Sequence, residues 1–357
     1  MIPIVIIPVA GLSRRYNGEK PKWMRTHPDG RLMINHAIDT FASIDCDIYL
    51  ITTEEICENF SVKPILAEAC KEIKDVISLK KQTNSAVETI IEGLKIIGID
   101  VSANQPIFIK DSDNFVEIEW DSLDLNESFT VGYDLSSHDI AKLSNKSFII
   151  RNDLGYVTDF VEKKIISEVI SVGTHYINSA STFILHALEI MNLDSKESQE
   201  LYVSHVISSS IYSGDNYKLV LCDRYIDFGT QSDWDKVQNQ FRVIFSDFDG
   251  TLVKNKAKYG INNWFERNDI PLVENIDVLK KIYETGGQIV ITTARCESEK
   301  EYIKGFLNDL GIIVKDVITD LNHSPRIIIN DFAYSNPYPS CLAINLPRNE
   351  NLNEYLD

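Results

Sequence analysis

The chain has 357 residues, and 35 Lys plus Arg stand against 53 Asp plus Glu, which gives a formal net charge of −18. This charge disfavours an extended surface for nucleic acid or for an anionic membrane, so any phosphate-binding site must be local. The length exceeds the usual single-domain range, and a hydrophobic content of 44% is enough for two cores.

Apolar strands alternate with helix-like stretches in both halves, which predicts an α/β fold with two domains. The clearest helix-like stretches are Ser85 to Ile97 and Ile276 to Thr285. We place the boundary near residues 238 to 242 and expect domains at 1–238 and 240–357.

The first predicted strand, Ile4 to Ile7, runs into a turn of small residues with clustered cations behind it. Backbone N–H groups of such a turn can hold phosphate oxygens, and Arg and Lys can neutralise the charge that builds as pyrophosphate leaves. The turn therefore predicts a triphosphate site. Its expected nucleotide-binding residues are Ala10, Gly11, Leu12 and Ser13, and its expected catalytic cations are Arg15 and Lys22.

A second predicted strand, Ile107 to Ile109, leads into Asp111-Ser112-Asp113. A carboxylate at the end of a strand can bind Mg²⁺ on the α-phosphate of a nucleotide. Asp113 is the preferred ligand, and Asp111 is the neighbouring alternative.

The turn and the Pro21-Lys22 pair resemble the nucleotidyltransferases that make nucleotide sugars, whose pattern is roughly Ala-Gly-Gly-x-Gly-Ser/Thr-Arg followed by Pro-Lys. Here Ser13 stands where that family usually has Gly, and Arg14 stands at the Ser/Thr position. The resemblance implies a Rossmann-like (GT-A-like) fold and Mg²⁺-dependent transfer of a nucleotidyl group to a sugar or polyol phosphate.

Further family-like segments follow in order as far as Thr230, and the resemblance gives each one a role. The turn at residues 82–88 would recognise the nucleobase, and the segment at 160–164 would meet the sugar phosphate. The strand around residue 175 would line the acceptor pocket, and the segment at 225–230 would supply the second metal ligand. The residues so assigned are Asn84, Ser85, Lys163, Gly173, Tyr176 and Asp227.

The last third of the chain carries a separate signal, in which Asp247 and Asp249 directly follow the apolar run Val243 to Phe245. One carboxylate can attack phosphorus and the other can protonate the leaving oxygen, while Mg²⁺ offsets their repulsion. Gly250 lets the chain turn sharply. The hydroxyl of Thr293, at the end of another predicted strand, would meet Asp247 at the same edge of the sheet and bind phosphate.

The segment Asp247 to Thr251 resembles motif I of the haloacid dehalogenase (HAD) superfamily, and the Thr293 strand resembles motif II. The resemblance implies an HAD-like Rossmannoid phosphatase with a minimal cap. A third predicted strand, Ile327 to Ile329, would end in the metal-binding Asp331 of motif IV. Its metal ligands would be Asp247, Asp249 and Asp331. The phosphate-holding cation of motif III is Arg326 or Lys315.

The two resemblances together imply a bifunctional enzyme that supplies precursors for bacterial capsules or other surface glycans. They favour CTP as the nucleotide and an open-chain or ketose phosphate, such as fructose 6-phosphate, as the acceptor. Two alternatives stay open. Asp111-Ser112-Asp113 can be the metal motif of a GT-A glycosyltransferase joined to the HAD domain, and either domain can be an inactive regulatory module.

The six cysteines are scattered without a Cys-x-x-Cys pair, so we expect reduced thiols and neither zinc nor disulfides. The apolar start of the chain is too short to span a bilayer. We expect a cytoplasmic protein without membrane insertion or nucleic-acid binding, and its sequence is compatible with a homo-oligomer.

Overall fold

The structure is a computed structural model that describes residues 1–11, 20–135, 143, 146–193, 201–256, 267–330 and 341–356. The chain divides into two compact units, Met1–Trp234 and Asp235–Asp357. Four of the expected site residues lie outside the described residues: Leu12, Ser13, Arg15 and Asp331.

The strands of the first unit are β1 (Ile4–Pro8), β2 (Asp47–Thr53), β3 (Ile73–Leu79), β4 (Ile107–Lys110), β5 (Asn114–Glu117), β6 (Ser128–Asp134), β7 (Ser147–Arg151), β8 (Val157–Glu162), β9 (Val169–Ile177), β10 (Tyr217–Leu221) and β11 (Arg224–Asp227). Its helices are α1 (Met33–Asp39), α2 (Glu54–Asn59), α3 (Val62–Ala69), α4 (Ala86–Ile97), α5 (Ala180–Leu193), α6 (Val203–Tyr212) and the start of α7 (Gln231–Gln240). Within the described residues, no helix combines the length and the apolarity needed to cross a membrane.

The main sheet of the first unit has the order β10-β6-β9-β4-β1-β2-β3, and β7 pairs with both β8 and β9. β1 runs parallel to β2 and β4, whereas β9 runs antiparallel to β4 and β6. β1 is apolar throughout because both faces of the sheet are covered: Val5 and Ile7 belong to one core cluster, and Ile4 and Ile6 belong to the other.

Helix α4 confirms the helix predicted at Ser85 to Ile97. The Ser85 hydroxyl accepts a hydrogen bond from Glu88 N at 3.1 Å and so caps the first turn, and Gly98 ends the helix at a φ of +88°. Its buried face, which includes Ile90 and Leu94, packs in the second of those clusters with Ile6. The Gln82 side chain, which donates to Ala10 O, joins the start of α4 to the turn that follows β1.

The second unit has the strands β12 (Val243–Asp247), β13 (Gln288–Thr292) and β14 (Asp316–Ile318) and the helices α8 (Val273–Glu284) and α9 (Lys300–Asp309). The three strands form a parallel sheet in the order β12-β13-β14. Helix α8 confirms the helix predicted at Ile276 to Thr285 within three residues at its start. Phe248, Leu279 and Ile291 lie in the core of this unit.

The strand predicted at Ile327 to Ile329 is wrong. These residues form no strand, and their side chains are 83%, 54% and 91% exposed. The third strand of the described sheet is β14 instead, which follows α9 and pairs with β13. Three successive isoleucines favour extended backbone, but a strand also needs a partner edge, and the local pattern contains no information about that partner.

Candidate active site

Carboxylates gather where β4 ends in the first unit. Lys110 is the last residue of β4, and Asp111 and Asp113 lie in the short turn before β5. β5 pairs antiparallel with β11, so Asp227, the last residue of β11, lies opposite Asn114. Asp227, which lies more than a hundred residues from Asp111 and Asp113 in sequence, therefore reaches the same end of the main sheet.

Gly173 is required by the close approach of Asp111. The Asp111 N–H donates to Gly173 O at 2.8 Å, and Gly173 has a φ of +63°. A Cβ atom at residue 173 would lie 1.9 Å from Asp111 Oδ2. Gly173, which was expected in the acceptor pocket, thus leaves the space that the Asp111 carboxylate occupies.

Asp113 and Asp227 face a common point above Gly229. A Cβ atom there would lie 3.0 Å from Asp227 Oδ1 and 3.2 Å from Asp113 Oδ2. The Phe228 N–H donates to Asp113 O at 2.8 Å, which joins the two segments through the backbone. The two expected metal ligands are therefore brought together.

Two lysines compensate this negative charge. Lys22 forms an ion pair with Asp113, and Lys146 forms an ion pair with Asp227 while donating to the Tyr225 hydroxyl at 2.9 Å. Lys22 was expected here, but Lys146 was missed because it follows Ser144-Asn145 with no motif around it. The arrangement alternates acids and cations, as a site for a metal and phosphates requires.

A third lysine, Lys110, is fully buried and was also missed. Its ammonium group donates to Asp111 O at 3.0 Å and Asn114 O at 3.2 Å, and also to the Asn114 side chain. Burial lowers the pKa of Lys110 to about 8. These bonds fix the turn that carries Asp111 and Asp113.

The carboxyls of Asp111 and Asp113 have different proton affinities. Asp111 has a face open to solvent, yet desolvation, together with repulsion by Asp113, raises its pKa to about 6. Desolvation acts on Asp113 in the same direction, but the ammonium groups of Lys22 and Lys146 outweigh it and lower the pKa to about 2. Asp113 is therefore the carboxylate that is more easily kept ionised for a cation.

The expected nucleotide turn is described only at Ala10 and Gly11. The Gln82 side chain donates to Ala10 O at 2.7 Å and so joins this turn to the start of α4. Asn84 N donates to Glu88 Oε2 at 2.6 Å, and Ser85 is the helix cap. Asn84 and Ser85 thus lie at the positive end of the α4 dipole, beside the β1 turn.

Lys163 and Tyr176, both expected to contact the acceptor, lie in different surroundings. Lys163 follows β8, and its N–H donates to Lys146 O at 2.9 Å, while its Nζ donates to the Tyr202 hydroxyl at 2.6 Å. Tyr176, by contrast, is a core residue: it is 2% exposed, stacks on Phe129, and donates to Leu125 O at 2.7 Å. Its ring and its hydroxyl are both used in packing, and its expected role in the acceptor pocket stays a prediction.

Mg²⁺ fits the donor set at the end of β4. Mg²⁺ prefers oxygen ligands, and Asp113 and Asp227 offer carboxylate oxygens around one point, with Asp111 in the same turn as Asp113. The two lysine pairs show that this position needs compensating positive charge. Asp113 and Asp227 are the residues that would hold the ion.

In the second unit, the expected phosphatase residues lie at the ends of parallel strands. Asp247 ends β12 and pairs with Thr292, the residue before Thr293, so the Asp247 carboxyl and the Thr293 hydroxyl lie at one edge of the sheet. Thr293 is 1% exposed, and its hydroxyl accepts from Arg295 N at 3.1 Å. Burial raises the pKa of Asp247, against the effect of Arg326, whose Nη2 lies 3.2 Å from Asp247 Oδ1.

Asp249 has an unexpected partner in Arg295. The guanidinium of Arg295 donates to both oxygens of Asp249, at 2.9 and 2.7 Å, and to both oxygens of Asp269, each at 2.9 Å. Arg295 and Asp269 have side chains only 1% exposed. Both oxygens of Asp249 are therefore occupied by the guanidinium of Arg295.

Comparison with solved structures shows the fold of the first unit. The nucleoside-diphosphate-sugar pyrophosphorylase from Vibrio cholerae RC9 is similar with a TM-score of 0.53 and 21% identity over 65% of this chain and 98% of that one. The inositol-1-phosphate CTP transferase from T. maritima is similar with a TM-score of 0.50 and 10% identity, over 66% of this chain and 95% of that one. An apo UDP-glucose pyrophosphorylase is similar with a TM-score of 0.50 and 14% identity, over 67% of this chain and 97% of that one.

No family model matches the sequence, and no curated protein is similar enough in sequence to match it. The structural neighbours cover about two thirds of the chain, a share close to that of the unit Met1–Trp234. The chain therefore has a mixed α/β nucleotidyltransferase fold over that share.

Replacing Gly173 by Ala tests how tightly Asp111 is held. We expect Gly173→Ala to lower the free energy of unfolding by roughly 1–2 kcal/mol from its positive φ and by more from the overlap with Asp111. Gly155→Ala is the matched control, because Gly155 has a φ of +82° and open space around its Cβ position. Chemical denaturation of both variants gives the comparison, and equal losses would contradict the described approach of Asp111.

Proposed function

We propose that the first unit transfers a nucleotidyl group from a nucleoside triphosphate to a sugar or polyol phosphate. A phosphate oxygen of the acceptor attacks the α-phosphorus. The bond between that phosphorus and the oxygen that bridges the α- and β-phosphates breaks, and pyrophosphate leaves. The observation that carries the proposal is the convergence of Asp111, Asp113 and Asp227 with Lys22 and Lys146 at the end of the sheet. The nucleotidyltransferase fold supports it.

The side chains have distinct roles in this proposal. Asp113 and Asp227 hold Mg²⁺, which would neutralise charge on the triphosphate. Lys22 leaves Asp113 and donates to the phosphates, as Arg15 does from the preceding turn, and Lys146 stays beside Asp227. In-line transfer needs positioning and fixed charge more than covalent chemistry, which is what the backbone contacts of Asp111 and Asp113 provide.

The proposal also specifies where the nucleobase and the acceptor phosphate bind. The expected turn at Asn84 and Ser85 lies beside the β1 turn, where a nucleobase would reach it, and Lys163 would meet the acceptor phosphate from beside Lys146. CTP is the proposed nucleotide, on the family resemblance and on the name of the T. maritima neighbour, a CTP transferase. Fructose 6-phosphate or a similar open-chain or ketose phosphate is the proposed acceptor, in a capsule or surface-glycan route.

A matrix of four nucleoside triphosphates against sugar and polyol phosphates, read by pyrophosphate release, tests this function. We expect release that requires Mg²⁺ and both substrates and is fastest with CTP. A GT-A glycosyltransferase would instead consume a nucleotide sugar and release no pyrophosphate. No release in any cell of the matrix, with glycosyl transfer from a nucleotide sugar, would contradict the proposal.

The two lysine pairs give a sharper test of the site. Lys22→Ala and Lys146→Ala should each lower pyrophosphate release by about a hundredfold, on the scale of losing one fixed charge-stabilising group. Lys74→Ala is the matched control, because Lys74 forms a similar pair with Asp47 at 2.5 Å, away from the site. Near-parental rates in both Lys22→Ala and Lys146→Ala would show that these lysines do not take part in the transfer.

For the second unit we propose HAD-type hydrolysis of a phosphomonoester. What supports it is the arrangement of Asp247, Asp249 and Thr293 at the edge of a parallel sheet. Asp247 attacks phosphorus and forms an aspartyl phosphate, and the alcohol leaves with a proton from Asp249. A water molecule then returns a proton to Asp249 and attacks the phosphorus, which breaks its bond to Asp247 and releases inorganic phosphate. The contact of Arg295 with Asp249 has to loosen before Asp249 can donate that proton. Mg²⁺ bound by Asp247, Asp249 and Asp331 would offset the charge, and Arg326 would hold the phosphate.

Asp247→Asn should abolish hydrolysis of an aryl phosphate, because the amide is not a nucleophile for phosphorus. It should leave pyrophosphate release by the first unit within about threefold of the parent, since the units have separate cores. Asp277→Asn, an exposed acid on α8, is the control. Equal rates of aryl phosphate hydrolysis in the parent, Asp247→Asn and Asp277→Asn would show that Asp247 is not the nucleophile and would contradict the proposed phosphatase.

A further inference from the structure

Two histidines and an aspartate lie close together at the start of α1, and none of them has a role in the function proposed above. His27 Nδ1 lies 2.9 Å from Asp29 Oδ1, and His36 Nε2 lies 3.3 Å from Asp29 Oδ2. One ligand atom from each residue can be chosen so that all three lie within 4.8 Å of one another. The two imidazole rings have centroids 4.0 Å apart.

The backbone holds this cluster in place. Thr26 bridges to Leu32, and within the turn His27 N donates to Arg31 O at 2.7 Å and Gly30 N donates to His27 O at 2.8 Å. Gly30, with a φ of +90°, makes the reversal possible. Helix α1 then starts at Met33 and brings His36 back over the turn. The three donors therefore converge through regular local structure.

His36 supplies an unusual donor atom. Its Nε2 is buried and makes no hydrogen bond within the described residues, although Asp29 Oδ2 lies 3.3 Å away, and its side chain is 12% exposed. A buried polar atom without a hydrogen bond is costly. A neutral imidazole nitrogen is a common ligand of transition metals.

We propose that His27, Asp29 and His36 bind a divalent transition metal of the Zn²⁺ class. Two imidazole nitrogens and one carboxylate oxygen are borderline donors that suit Zn²⁺ or Co²⁺, whereas Mg²⁺ prefers oxygen alone. The Asp29 side chain is 31% exposed, so metal enters from that side and water completes the coordination. The metal would bind His36 Nε2, which makes no hydrogen bond within the described residues.

Arg31 limits how tightly this site holds metal. Its Nε donates to Asp29 Oδ2 at 3.1 Å, its Nη1 donates to Asp39 Oδ2 at 2.8 Å, and its Nη2 lies 3.5 Å from His36 Nδ1. A metal on His36 Nε2 puts the ring proton on Nδ1, so the last contact must lengthen while Asp39 keeps the guanidinium. The nearby positive charge makes the metal exchangeable.

The site also has a structural consequence for the loop after β11. The His27 ring packs against Phe228 and Trp234 at 6.0 Å each, and the His36 ring packs against Phe228 at 5.7 Å. Phe228 directly follows Asp227. A metal that fixes both imidazoles therefore stabilises the segment that carries Asp227, and its first effect is on stability.

Titration of the full-length, tag-free chain with Co²⁺ in excess Mg²⁺ tests the proposal without nucleotide or turnover. Mg²⁺ saturates oxygen sites, so a visible Co²⁺ spectrum with nitrogen ligands reports this cluster. We expect one equivalent of Co²⁺, displaced by Zn²⁺. His36→Gln and Asp29→Asn should each weaken binding by at least about tenfold, the usual scale for disturbing a metal's surroundings.

The matched control is His186→Gln. His186 is 13% exposed and lies between two carboxylates, 3.4 Å from Glu189 and 3.6 Å from Asp215, and among the described residues this trio is not a group of three possible metal ligands within 4.8 Å. Its variant should bind Co²⁺ as the parent does. Absence of the nitrogen-ligand spectrum in the parent, or an unchanged affinity in both cluster variants, would overturn the proposal whatever the transferase result.

Thermal unfolding gives a second readout, and a cooperative transition without metal shows that each variant is folded. Free Zn²⁺ at about a hundredfold above its Kd should raise the Tm of the parent and of His186→Gln by roughly 5–10 °C. The shift should disappear in His36→Gln and on adding a chelator. An equal shift in His36→Gln would place the bound metal elsewhere.

Discussion

The first unit depends on holding three carboxylates close together at the end of one sheet. Asp111, Asp113 and Asp227 repel one another, and that repulsion has to be offset before the chain folds around them. Lys22 and Lys146 do so through direct ion pairs, and the buried Lys110 does so through the backbone of the turn. In the proposed function, Mg²⁺ would take over part of this compensation for the acids, and the lysines would then face the phosphates.

The sheet topology creates this meeting of acids. β9 lies antiparallel between β4 and β6, which sets Gly173 against Asp111. The separate pair β5 and β11 brings Asp227 beside Asn114 from more than a hundred residues away. Small residues are needed at both contacts, since side chains at 173 or 229 would enter the space of the carboxylates. Local geometry and long-range pairing thus serve the same site.

Much of this could be predicted from sequence. Continuous apolar runs such as β1 are readable because a buried parallel strand must be apolar on both faces, and Ser85 predicts a helix start through its capping chemistry. Asp113 and Asp227 could be found because they follow strands within recognisable segments. Asn84 and Ser85 were identified for nucleobase binding, yet the bonds in the structure are those of a helix cap.

Other features depend on contacts that no local pattern contains. Lys146 acts on Asp227 across 81 residues, and nothing near it in sequence differs from a surface lysine. Tyr176 resembles a pocket residue, but the rings of Phe108 and Phe129 enclose it. Ile327 to Ile329 have strand composition without a partner strand. In the second unit, the link from Arg295 to Asp249 and Asp269 was likewise invisible, because the buried Asp269 lies outside any motif.

We propose above that the acids at the end of β4 form a site for a metal and a triphosphate. A crystal structure with Mn²⁺ and a non-hydrolysable CTP analogue tests this directly through anomalous scattering. We expect a Mn²⁺ peak between Asp113 and Asp227, with Lys22 moved from Asp113 to the phosphates. A nucleotide bound elsewhere, with the pair of Lys22 and Asp113 intact and no peak between the acids, would contradict it.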